Sequence, residues 1–239
     1  MAKPEEDTSI VERVANAIRS AHIAQARHKL EEQELPLNRI EGAFEVACKE
    51  ADRSASILLF ALAEDLMLSC FKANMNPKVH GGWNSVTGGN GVLATASDRL
   101  SLLELLYWIK PSTAADLRLM KSIRNRFAHH ADVHSFVDSK VSGWICLLTP
   151  REIPMQLTVT NQRQDKLSLR ELYLIRSIST VVSLATDLAV GPIAMQERIH
   201  PDSLVAGDFD TLPENMKHAL RVQAKLMLSI YEGEGTKIA

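Results

Sequence analysis

An asparagine and a histidine four positions apart, set among arginines, are the residues of this chain best suited to chemistry: Arg124-Asn125-Arg126-Phe127-Ala128-His129-His130. On a helix, side chains four apart are neighbours one turn along the same face. Asn125 can then hydrogen-bond the His129 ring and fix its tautomer. A histidine titrating near neutrality can serve as acid or base, and an arginine alongside can meet the charge that develops on a phosphorane. Metal-independent RNA cleavage needs both. Arg124 and His129 lie about 140° apart around an ideal helix, so they do not share one face of it. Arg126 and His130 are supporting candidates. The plainer alternative is that an Asn and a His near a helix end cap carbonyls or solvate a surface.

Glu64 and Asp65 are the only charges between Arg53 and Lys72. Adjacent helical positions point about 100° apart, so at most one of the two can lie deep in a core. That acid needs a cation, and Arg99 and Arg124 are the candidates. A core ion pair is preferred over a catalytic role, because buried charges are usually paired. His129, His130, Asp132 and His134 offer no third ligand at a metal-binding spacing, so neither metal nor cofactor is expected. The glycines at 81, 82, 88, 89 and 91 follow no strand and match neither GK[ST] nor GxGxxG, so they read as a connector or lid.

The element that must carry the Asn–His pair is a helix entered at Pro111, with Thr113 and Asp116 as a capping-box-like start. Its buried stripe is Leu119, Met120, Ile123 and Phe127, with Leu117 at the edge; Asn125 and His129 then face solvent or another subunit. Before it, the periodicity predicts a loose tail over 1–8, a helix from Ser9 to about Glu34, and a second from Asn38 to about Asn74 with an irregularity near Asp52. A Gly-rich loop follows over 75–96, then a helix from Thr95 to about Ile109. Beyond it, 139–148 reads as helical, and 153–160 alternates like an edge strand, so a short β-hairpin insertion is expected around 145–162. Ser168 and Glu171 cap a long helix that Gly191-Pro192 should kink or break. Residues 213–231 form a last amphipathic helix, and 233–239 a tail. The fold class is all-α: a single helical domain over 9–232, with a core at about 38–136 and a C-terminal helical extension over 168–232.

Composition bounds the function. With 46% hydrophobic and 23% charged residues the chain has ample apolar material for a core. A net charge of −2 gives no global basic field for nucleic acid. Basic residues are nonetheless dense locally: Arg118, Lys121, Arg124 and Arg126 fall within nine positions. Cys48, Cys70 and Cys146 form neither a zinc pattern nor a disulfide framework, which suits a cytoplasmic setting. Ser54–Phe71 is the one candidate membrane span, but each acid at its middle costs about 2.5–3.5 kcal/mol on insertion scales, so a buried helix is expected.

The ordered pieces over 52–136 resemble the mannitol operon repressor family, a branch of the HEPN-type all-helical superfamily. They are Asp52-Arg53 leading into an apolar helix with Glu64-Asp65-Leu66, Gly91–Arg99 opening a helix, Ser122–His129, and Ser135-Phe136. The resemblance implies a HEPN-like bundle in which His129 is the acid/base, Arg124 contacts phosphate, and Asn125 orients the ring. It also implies that two protomers meet across a two-fold axis at this motif, hence a homodimer. The closer branch is regulatory, so the first expectation is a regulator in transcriptional or stress control that acts by binding a protein partner. The alternative is a metal-independent endoribonuclease, a toxin or defence effector with an RNA substrate.

Overall fold

Helices account for all the regular structure in the computed structural model, which describes residues 5–75, 78, 80–150 and 167–231. In chain order they are α1 (Glu5–Glu31), α2 (Leu37–Lys49), α3 (Asp52–Asn74), α4 (Gly82–Thr87), α5 (Ala96–Leu105), α6 (Pro111–His129), α7 (Ser139–Leu147), α8 (Leu169–Glu197), α9 (Pro201–Val205) and α10 (Glu214–Tyr231). A 3-10 turn, Phe209–Thr211, precedes α10. The all-α expectation therefore holds among the described residues. The strand expected at 153–160 lies outside them, and 145–147 belong to α7, so no hairpin starts at 145.

The bundle is built on α3 and α8. Helix α3 packs against α2, α5, α6 and α8, while α8 is touched by α1, α2, α3, α6, α7, α9 and α10. A helix with protein on most sides must be apolar on most sides. Accordingly α3 buries Leu59, Phe60, Ala63, Met67 and Phe71, and α8 buries Tyr173, Ile178, Val181 and Leu184. Both are long and apolar enough to cross a membrane, so Ser54–Phe71 is not the only such stretch; most of each apolar window is buried inside the bundle.

Several boundaries differ from the expected ones, each for a local reason. Helix α1 begins at Glu5, inside the supposed tail, and Ile10, Val14 and Ile18 along it are about half exposed. The irregularity expected near Asp52 is a full break: Glu50 and Ala51 are extended, so the stretch from 38 to 74 is two helices. The Gly-rich loop contains α4, entered through left-handed Gly81 at φ +81°. Helix α5 opens on the Thr95–Asp98 capping box but stops at Leu105, since Tyr107 takes φ +55° and turns the chain.

Helix α8 continues through Gly191-Pro192 without a break. Proline removes the N–H that would bond the carbonyl four residues back. Here that carbonyl, of Leu188, is met by the Cys70 thiol at 3.7 Å from α3. Gly191 has a separate reason: a Cβ there would sit 2.4 Å from Trp108 Cα, so only glycine lets the α5–α6 connection press onto α8.

The start of α6 is also held from outside. Lys110, its N-cap, makes no side-chain cap, and Pro111 occupies the first turn. The Asp187 carboxylate of α8 accepts from the Lys110 N–H at 3.0 Å and from the Thr113 hydroxyl at 2.7 Å. Asp116 is not a capping residue. It is buried and accepts from the N–H and hydroxyl of Thr149, at 2.9 and 3.0 Å.

Candidate functional site

The last two turns of α6 carry the motif, and the helix buries Leu117, Met120, Ile123 and Phe127 completely. Leu119, expected in that stripe, is only partly buried, and buried Ala114 extends it towards the N-terminus. Phe127 meets Phe136 edge-on, with ring centroids 5.6 Å apart, which anchors the helix end to the segment that follows. On the opposite side Asn125 is half-buried and His129 is exposed. That outward display agrees with the helical spacing.

Arg124 is engaged by neighbouring side chains. Its Nη2 donates to Glu64 Oε2 at 3.0 Å, its Nη1 donates to Asn125 Oδ1 at 3.0 Å, and its guanidinium lies 5.4 Å from the centre of the Phe60 ring. The partly buried acid of the α3 pair is thus Glu64, and Arg124, one of its two candidate cations, is its partner. Arg99 bonds the carbonyls of Leu93 and Ala94 instead. Asp65, one position on, points to the surface and pairs with Arg39 at 2.6 Å.

The arrangement departs from the expected site in one respect that matters. Asn125 gives its side-chain oxygen to Arg124, and among the described residues no hydrogen bond joins it to His129. The His129 imidazole has no partner there at all. Asn125 therefore organises the arginine, not the ring.

Arg126 and the backbone of His130 are held within the protein. Arg126 Nη2 donates to Asp138 Oδ2 at 3.1 Å, with both side chains only 18% exposed. Asp138 in turn caps α7, its Oδ1 accepting from the N–H groups of Lys140 and Val141 at 3.1 Å. The Arg126 hydrogen bond holds the Asp138 carboxyl below the usual range, with help from the Val141 and Lys140 N–H groups. His130 is the C-cap of α6; its ring is exposed, and its carbonyl accepts from Arg53 at 2.8 Å.

Arg53 and Arg170 do work that spacing does not reveal. Arg53 Nη2 donates to the carbonyls of His130 and Val133 at 2.8 Å, fastening the chain as it leaves α6. Asp52 accepts from the Phe136 N–H at 2.8 Å and from Arg170 Nη1 at 2.6 Å. Arg170 Nη2 also caps α2, donating to the carbonyls of Cys48 and Glu50. The Asp52-Arg53 pair is visible in the sequence, but its targets are carbonyls, which leave no trace in residue identity.

The three arginines of the basic cluster are each paired with a carboxylate, and its lysine, among the described residues, is not. Arg118 pairs with Glu104, whose carboxyl the guanidinium holds below its ordinary range, and Lys121 reaches the Ser97 hydroxyl. Among the described residues no group of three His, Cys, Asp or Glu side chains gathers at metal-binding distance. The face left at the end of α6 displays imidazoles, the Asn125 amide and the Asp132 carboxylate, while Arg124 and Arg126 are paired within the protein. No family model, curated protein or solved structure matches this chain.

Proposed function

We propose that this chain is a regulatory protein like the mannitol operon repressors, working in transcriptional or stress control by binding a protein partner. One observation carries the reading: Arg118, Arg124 and Arg126 are each paired with a carboxylate, and His129 stands exposed with no free guanidinium beside it. A polyanion is held by unpaired cations that displace its counterions. A surface of exposed His129, His130 and His134 with half-buried Asn125 suits hydrogen bonding to a protein instead. In this proposal a second copy of the chain docks on that face to form a homodimer, and the free thiols of Cys48, Cys70 and Cys146 fit a cytoplasmic setting.

The test is a tagged His129→Glu variant beside the parent protein. The expected result is that the parent sediments as a dimer at micromolar concentration and captures a defined transcription factor, and that the variant loses both. A monomeric parent, or recovery of RNA without protein, overturns the reading.

A second reading, the metal-independent endoribonuclease, is favoured by the unpartnered His129 ring, which is free to exchange a proton with a bound substrate. Cleavage of purified RNA that persists in EDTA and is lost in His129→Ala supports it. Cleavage unchanged by that substitution and abolished by EDTA counts against it.

A further inference from the structure

At the opposite end of α6, about 27 Å away by helix rise, the chain encloses a cleft of ≈ 660 Å³. Small-molecule sites usually span about 300–1,000 Å³. The walls are apolar: Trp108, Ile109, Val190, Ala194, Met195 and Val205, from the α5–α6 connection, α8 and α9. The charges around it sort unequally. Lys110 Nζ lies 3.4 Å from Asp202, and the buried Asp187 accepts from the Lys110 N–H and the Thr113 hydroxyl. Arg198 is exposed at the mouth and has no ion-pair partner or hydrogen-bond acceptor for its guanidinium among the described residues. It is held there by a left-handed backbone, φ +55°, at the C-cap of α8.

Two further features belong to the same cleft. Tyr107, on its rim, is 80% exposed and also left-handed at φ +55°, a conformation that costs a non-glycine residue and is found at ligand sites. The Trp108 indole N–H, in a residue only 6% exposed, donates to the Met195 thioether at 3.3 Å. Thioether sulfur is a weak acceptor, and the Met195 side chain is exposed and flexible. A stronger acceptor entering the cleft could displace it.

We propose that this cleft binds a small amphipathic carboxylate, its apolar body on Trp108, Ile109, Val190 and Ala194 and its carboxylate on the Arg198 guanidinium. Charge complementarity selects the occupant: an apolar wall would accept any oily molecule, but the one unpaired cation at the mouth asks for an anion. A guanidinium–carboxylate contact is charge-assisted and can be bidentate.

The experiment is a titration of the full chain with decanoate below its micelle concentration, followed by calorimetry and by tryptophan fluorescence. Decanol is the uncharged control, and neutral phosphatidylcholine vesicles are the membrane control. The expected result is saturable binding of one decanoate, at least tenfold tighter than decanol, with no binding to vesicles. Arg198→Gln, at an exposed position, should leave the circular dichroism unchanged, weaken decanoate about tenfold and leave decanol where it was. Equal affinity for the two ligands, indifference to Arg198→Gln, absence of saturable binding, or binding only when the ligand is presented in vesicles would each overturn the proposal.

Discussion

The two ends of α6 solve opposite problems. At the C-terminal end the guanidiniums of Arg53, Arg124 and Arg126 are all engaged, with carbonyls, with Glu64 and with Asp138, and the side chains left exposed there include His129, His130, Asp132 and His134. At the N-terminal end the wall is apolar, and the arginine on its rim, Arg198, is unengaged among the described residues. A cation already satisfied by the protein is scaffolding; one held out beside an apolar hollow is available to a ligand. The difference teaches that residue type and spacing locate charge, whereas pairing decides what the charge is for.

The largest effect should come from closing the N-terminal end. In Gly191→Ala the new Cβ meets Trp108 Cα at 2.4 Å and Trp108 O at 2.7 Å, backbone atoms that cannot rotate away. Overpacking of this kind costs about 3 kcal/mol or more when nothing flexible can yield. Urea unfolding should show that loss, and the cleft should be deformed with it. A variant as stable as the parent would mean that the α5–α6 connection does not press on α8 as described.

The next effect probes the C-terminal end. Arg124 and Glu64 are 32% and 21% exposed, so water screens the pair only in part. Arg124→Ala should cost about 1–2 kcal/mol, since it strands Glu64 and frees Asn125. A double-mutant cycle with Glu64→Gln should return a coupling near 1 kcal/mol. Zero coupling would show an arginine not committed to the core, and would restore the phosphate-binding role that the resemblance assigns it.

A smaller change of opposite sign is expected at Tyr107. Glycine removes the penalty of a left-handed tyrosine whose ring is 80% exposed and buries little. Tyr107→Gly should therefore raise stability by about 0.5–1 kcal/mol in thermal or urea unfolding. Weaker decanoate binding in the same variant would sharpen the contrast between the two ends. A destabilised variant would show that the ring supports packing.

Much of this architecture is legible in the chain, for reasons that differ from element to element. The boxes Thr95–Asp98 and Ser168–Glu171 mark the starts of α5 and α8 because N-capping is local: donor and acceptor lie three residues apart. The α6 stripe is legible because burial follows the helical period. What spacing cannot show is a partner from far along the chain. Thr113 and Asp116 imitate a capping box, yet the start of α6 is served by Asp187 on α8. Gly191-Pro192 looks like a break, but Cys70 and Trp108, both remote in sequence, make the continuous helix acceptable. The candidate site is divided in the same way. The outward position of His129 follows from helix geometry alone, while the capture of Asn125 by Arg124 depends on where Glu64 places the guanidinium. The cleft has no motif, because a hollow is a property of packing.

The subtlest contrast is in acid. Asp138 is held below the ordinary carboxyl range by Arg126 and by the first-turn N–H groups of α7, so its folded pKa lies under its unfolded one. For a group shifted in that direction, the stabilisation is fully present above the unfolded value near pH 4 and drains away as pH falls through the folded one. Nuclear magnetic resonance shifts of the Asp138 carboxyl and of the Lys140 and Val141 amides should therefore stay flat from neutrality to about pH 4 and move together below it. Asp138→Asn, which keeps an oxygen for the cap but loses the charge, should leave those amides insensitive to acid and loosen the α6–α7 junction at neutral pH. Movement centred well above pH 4 would instead mean that a group other than Asp138 governs that junction. The pairing of Arg126 with Asp138 would then no longer be what fixes the C-terminal end of α6.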